Sequence, residues 1–286
     1  MKISLAHSPD ADDIFMYYAI KFGWVETKDY QFTNIGLDIE TLNVEALKGT
    51  YDVTAISFGA YPLIRDDYAL LRTAVSFGEG YGPKLIRRKE KRLKRNFKVA
   101  LSGKYTTNAM LFRIYYPEAR PLYMDFLEIE EAVVSGAVDA GVLIHESILD
   151  YDESLEVEKE IWDIWVELAG KGLPLPLGGM AIRRSIPLNR AIEIEKILVD
   201  GVKVANERKE ELCKKLESDR LVRISDTMLT KYLDMYASDE SAELSPIQLK
   251  ALDRLYQIGF EHQLWEIPIK TEEYLIPGNY QKLRNG

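Results

Sequence analysis

Short apolar runs alternate with segments of helical spacing through the first half of the chain, and most runs close on Gly, Ser, Asp or Pro. Residues 2–6 read as a buried strand, and the turn cluster from His7 to Asp13 leads into an apolar helix over 14–22. Residues 31–36 form a weaker strand, and 39–48 a helix that stops at Gly49, a residue suited to a C-cap. A third strand over 51–56 is followed by Ser57-Phe58-Gly59 and a new helix start. Residues 69–77 and 84–87 are further strand candidates. The strand 97–101 turns through 102–108 into a helix over 109–116, and then 120–124, 128–136 and 140–144 read strand, helix, strand. Alternation of this kind predicts parallel βαβ units with right-handed crossovers.

The Pro- and Gly-rich passage 170–179 precedes a strand over 180–183 and reads as a chain returning from one lobe to another. Beyond it the pattern is mostly helical. Pro187 opens one helix, with apolar residues at Ala191, Ile192, Ile194, Ile197, Leu198 and Val202. Ser245-Pro246, an N-cap and first-turn pair, opens another. The expected architecture is α/β with two lobes: a discontinuous lobe of residues 1–96 plus 176–286 with a helical tail, and an inserted α/β lobe of 97–175. Two crossings between lobes make a hinge and a cleft, with ligands expected at the strand C-termini.

Composition narrows the class. The 286 residues are 47% hydrophobic and 29% charged, a globular profile, and no apolar run approaches the ~18 residues that span a bilayer. A single cysteine, Cys213, allows no intramolecular disulfide, and the N-terminus lacks the apolar core of a signal peptide, so the expected compartment is cytoplasmic. The net charge of −9 argues against nucleic acid as a partner, and no membrane partner is expected. Residues 83–98 oppose the trend. They hold nine of the 37 basic residues and one of the 46 acidic ones, which leaves 28 basic against 45 acidic elsewhere. A solvated helix or loop is the plain reading of that run, with a phosphate-binding patch as the alternative. Cys213, in an amphipathic helix, reads as inert, and Trp162 and Trp165 as core residues.

The chemistry gathers at strand ends. His145 follows the run 140–144, where a parallel strand would reach the mouth of its sheet, and imidazole suits proton transfer at neutral pH. His7, beside an acidic turn, ranks below it, and His262 reads as structural or exposed. With no cysteine cluster and no histidine pair at ligand spacing, no metal is expected. Ser57 follows the strand 51–56 and serves either as a simple N-cap or as an anion donor. Gly103 followed by Thr106-Thr107-Asn108 offers close backbone approach and polar side chains at a helix start, a cradle for a carboxylate or phosphate.

Taken in order, Ser8-Pro9, Glu40-Thr41-Leu42-Asn43, Ser57 with Ala60-Tyr61, Gly80-Tyr81-Gly82-Pro83, Gly103-Lys104-Tyr105-Thr106-Thr107, His145-Glu146-Ser147 and Gly172-Leu173-Pro174-Leu175-Pro176-Leu177-Gly178 resemble the 1,4-dihydroxy-6-naphthoate synthase family of the futalosine route to menaquinone. The resemblance covers residues 2 to about 184, and the helical tail more loosely. It implies a type II periplasmic-binding-protein-like fold working as a lyase without a cofactor. The implied substrate is cyclic dehypoxanthinyl futalosine, a small anionic molecule, and the implied proton acceptor is His145. Ala55, Ile56, Ser57, Thr107 and Asn108 are the implied substrate contacts, and a homodimer is left open.

The first turn departs from the family's usual Ser-Pro-Cys-Pro-Asn-Asp-Thr-Phe, so no role is carried onto residues 10–14. Asn108 stands where the family has a small residue, which favours a contact through its backbone. Two alternatives stay open. The sibling chorismate dehydratase tends to carry Gly-Asp where this chain has His145-Glu146. A solute-binding or sensor protein would close on a small anion without chemistry.

Overall fold

The computed structural model describes residues 1–8, 17–219, 229, 233 and 241–277. The expected turn 9–13 and the start of the helix over 14–22 lie outside these; residues 17–21 are helical.

Two sheets carry the chain. The first has the order β2 (Gln31–Gly36), β1 (Lys2–His7), β3 (Val53–Ser57), β11 (Leu175–Arg183), β4 (Tyr68–Leu70), with β5 (Ser76–Gly78) also paired to β11. The second has the order β10 (Leu155–Glu160), β6 (Lys84–Arg88), β9 (Ala140–Leu143), β7 (Lys98–Leu101), β8 (Arg120–Tyr123). The central strands β3 and β9 are buried along their whole length, as continuous apolar runs in α/β sheets are.

Each sheet is only partly parallel. The pairs β1–β2, β1–β3, β7–β8 and β7–β9 are parallel, as the βα alternation predicts. β11 runs antiparallel to β3, β4 and β5, and β6 antiparallel to β9 and β10. The antiparallel strands flank the two crossings, where the chain enters or leaves a lobe without a covering helix. The boundary expected at residue 97 leaves β6 with the first lobe. Its hydrogen bonds place it in the second sheet, so the outward crossing lies between β5 and β6. The return lies between α5 (Ile161–Ala169) and β11.

The basic run is therefore partly strand. Arg87 pairs with Glu156 and Glu158 of β10, Lys91 with Asp139, and Arg95 with Glu118. Lys89, Arg92, Lys94 and Lys98 stand exposed. The Pro/Gly-rich passage is also partly strand, since β11 begins at Leu175 rather than at 180. A register shift between Pro176 and Gly178 accommodates the residue that cannot donate to the ladder.

Helices cover the sheets: α1 (Ile39–Leu47), α2 (Tyr61–Ile64), α3 (Thr107–Tyr115), α4 (Ile129–Val134), α5, α6 (Leu188–Glu207), α7 (Lys209–Ser218) and α8 (Pro246–Glu261). Their caps follow the sequence. Asp38 accepts from the Glu40 and Thr41 N–H groups at the start of α1, and Ser245 and Gln248 cap α8 reciprocally. Trp165 is fully buried, Trp162 packs partly buried against the core, and Cys213 is a buried free thiol in α7. Among the described residues no helix is long and apolar enough to cross a membrane.

Candidate functional site

Between the sheets lies a cleft that, with the open solvent at its mouth included, encloses about 710 Å³. Ala55, Ile56, Ser57, Thr107, Asn108 and His145 all line it, drawn from β3, from the start of α3 and from the segment after β9. Leu177, Gly178 and Gly179 of β11 line it too, and they signal nothing of the kind in the sequence beyond a flexible passage. Gly178 lies opposite Ser57 in the register, and a Cβ there would stand 2.9 Å from the Ile56 carbonyl oxygen. Glycine is required at that point for the close approach of two strands.

Ser57 ends β3 and is held from below by Asn43 of α1, which is fully buried. The Asn43 carboxamide oxygen accepts the Ser57 N–H at 2.9 Å, and its nitrogen donates to the Ser57 hydroxyl oxygen at 3.0 Å. The backbone N–H can only donate, which fixes the amide orientation. With its oxygen accepting, the Ser57 hydroxyl keeps its proton to donate into the cleft. Asn43 is a functional candidate that sequence reasoning missed, because its partner is 14 positions away on another element.

The cradle at α3 differs from its sequence reading. The Thr107 hydroxyl donates to the Leu177 carbonyl at 2.7 Å and accepts from the Gly59 N–H at 2.9 Å. It bridges the two lobes and is not available to a ligand. The Thr106 hydroxyl is the N-cap, accepting from the Ala109 N–H at 3.3 Å. What α3 offers the cleft is the pair of N–H groups at Thr107 and Asn108, which have no partner within the helix, together with the Asn108 carboxamide. Asp, Glu, Lys and Arg are absent from the described lining, so an anion here is met by neutral donors and a helix dipole. Ile39, Ile144 and Leu177 supply apolar wall.

His145 opens a 3₁₀ turn, His145–Ile148, immediately beyond β9. Its φ of 53° lies in the left-handed region, which costs a non-glycine residue free energy and turns the chain sharply at the sheet edge. The Phe126 ring packs edge-on to the imidazole, with centroids 5.1 Å apart. The other histidines sit elsewhere. His7 is buried at the end of β1, bonded to the Ser8 carbonyl and the Asn34 side chain and stacked on Tyr17, and it borders a separate small pocket. His262 is exposed at the end of α8. Among the described residues no group of three His, Cys, Asp or Glu side chains is placed to hold a metal ion.

A family model described as menaquinone biosynthesis matches residues 3–261. The chain belongs to the menaquinone biosynthesis family. Within the family, a Thermus thermophilus protein named 1,4-dihydroxy-6-naphthoate synthase is 29% identical over 254 residues, covering 89% of this chain and 92% of that one. A Streptomyces coelicolor protein of the same name is 32% identical over 194 residues, covering 64% and 67%. A crystal structure of an Archaeoglobus fulgidus protein superposes with a TM-score of 0.83 at 33% identity, over 92% of this chain and 98% of that one. The alkanesulfonate-binding protein of Xanthomonas axonopodis pv. citri, bound to MOPS, gives 0.69 at 12% identity over 96% and 97% of the chains. That likeness concerns the fold alone: this chain has the two-lobed periplasmic-binding-protein architecture. The family's work, and this chain's, is menaquinone biosynthesis.

Proposed function

We propose that the chain is a carbon–carbon lyase, a 1,4-dihydroxy-6-naphthoate synthase, that converts cyclic dehypoxanthinyl futalosine to the dihydroxynaphthoate and releases dihydroxyacetone. The observation that carries this reading is the single imidazole, His145, in the lining of a cleft whose other described polar side chains are neutral. Two relatives bearing that enzyme's name support it.

In this reading the substrate carboxylate meets the Thr107 and Asn108 N–H groups and the Ser57 hydroxyl. The flat carbocycle lies against Ile39, Ile144 and Leu177. His145 takes the proton of the substrate hydroxyl; the oxygen electrons become the carbonyl of dihydroxyacetone as the carbon–carbon bond breaks. The bonding pair passes to the ring fragment, the imidazolium returns the proton, and aromatisation drives the step. Neutral donors suit this chemistry, because they hold the anion without presenting the base with a competing proton. Water exclusion and orientation by the closed lobes supply the rest.

Incubation with cyclic dehypoxanthinyl futalosine, followed by the naphthoate absorbance, tests the assignment. His145→Ala is expected to lower kcat by about 10²–10⁴-fold, the usual contribution of a general base, while substrate still binds. Binding without product by the wild-type protein would instead support a solute-binding role, and turnover of chorismate the sibling dehydratase.

A further inference from the structure

The lobes are joined, outside the cleft lining, by a contact that the proposed chemistry does not use. Glu40 lies in the first turn of α1, on the first lobe, and its carboxylate reaches across to the turn that precedes α3. One oxygen accepts the Lys104 N–H at 2.7 Å; the other accepts the Tyr105 N–H at 3.0 Å. On the other side the Asn43 amide acts on the same carboxylate, favouring its charged form. Asn43 in turn holds Ser57. Glu40 and Asn43, three positions apart on α1, therefore bond the second-lobe turn and a residue that lines the cleft from the same helix.

Gly103 shows that the fit is two-sided. Its φ is not in the left-handed region, so no turn requirement explains the glycine. A Cβ there would instead overlap the Glu40 carboxylate, which occupies the space a side chain would need. The carboxylate is half-buried. Burial raises its pKa, against the opposing effect of the Tyr105 and Lys104 N–H groups and the Asn43 amide. A carboxylate held out of water in this way gains from its bonds only while the lobes are together.

We propose that Glu40 is a closure latch and positioning residue: it locks the second lobe over the cleft and sets the first turn of α3 against Ser57. Taking the cleft as the site of the reaction proposed above, the latch acts on substrate binding more than on the bond-breaking step. Its carboxylate touches main-chain N–H groups of the opposite lobe and not the reacting atoms.

Spin labels at Lys48→Cys in the first lobe and Leu127→Cys in the second, in a Cys213→Ser background, read lobe separation directly; both positions are exposed. Wild type is expected to show one short distance without substrate. Glu40→Ala and Gly103→Ala should add a longer population, with Glu40→Gln, which keeps one carbonyl acceptor, falling between. In turnover, KM should rise about tenfold for Glu40→Ala, the effect of losing roughly one charge-assisted hydrogen bond, with kcat changing much less. Distance distributions identical to wild type, or a fall in kcat at constant KM, would overturn the latch. Loss of folded protein in all three variants, seen by circular dichroism, would also overturn it and leave Glu40 a purely structural group. The distance measurement needs no substrate. A failure there counts against the latch alone, and absent turnover in wild type counts against the lyase reading alone.

Discussion

At the scale of single residues, the site is built by side chains that hold one another more than by side chains that face the ligand. Thr107 is the clearest case. Its hydroxyl satisfies the Gly59 N–H and the Leu177 carbonyl, both on the opposite lobe. Replacing it by Val keeps the shape and the backbone N–H but leaves the Gly59 donor without its partner. The expected cost is about 1–3 kcal/mol of stability, measured by urea unfolding, with recovery in Thr107→Ser. Stability unchanged in Thr107→Val would mean that water replaces the bridge. His145 and Ser57 were legible as candidates, because strand-end position and residue type can be read along the chain. Asn43 and Glu40 were not, since their roles depend on partners 14 and 64 positions away.

At the scale of elements, local signals served well where a cap or a breaker decides the outcome. Ser245-Pro246 predicts the start of α8, and the structure has a complete capping box there. Ser245→Ala removes the acceptor for the Gln248 N–H and is expected to lower stability by about 1 kcal/mol. A shift in the urea midpoint at unchanged slope would report it, and no shift would mean that the box is redundant with packing. Local signals misled where a strand recruits residues that ordinarily break strands. β11 carries Pro176, Gly178 and Gly179 yet joins β3, β4 and β5 into one sheet. Its register shift and its position in the middle of the sheet override the composition, and neither has a local signature. The same holds for β6, where Arg87 reads as solvated but is matched by Glu156 and Glu158 on β10.

For the whole molecule, the two sheets are separate in hydrogen bonding but continuous in packing. One core cluster contains Ile3 and Leu5 of the first sheet together with Val99 and Leu143 of the second. A continuous core resists independent unfolding of the lobes. Far-ultraviolet and near-ultraviolet signals are therefore expected to follow a single urea transition. Two resolved transitions would show that the lobes unfold separately and that the seam contributes little. The bridges through Thr107 and Glu40 lie on that seam, which ties the closure of the cleft to the integrity of the core.

The sequence alone determined the α/β class, the two-lobe layout, most strand and helix positions and the candidate residues of the site. These follow from apolar periodicity, turn chemistry and residue type, all of which act over short stretches of chain. The tertiary structure decided the strand directions at the crossings, the membership of β6 and β11, and the division of labour within the cradle. Each of those rests on hydrogen bonds between residues far apart in sequence, and a donor has no fixed partner until the chain has folded.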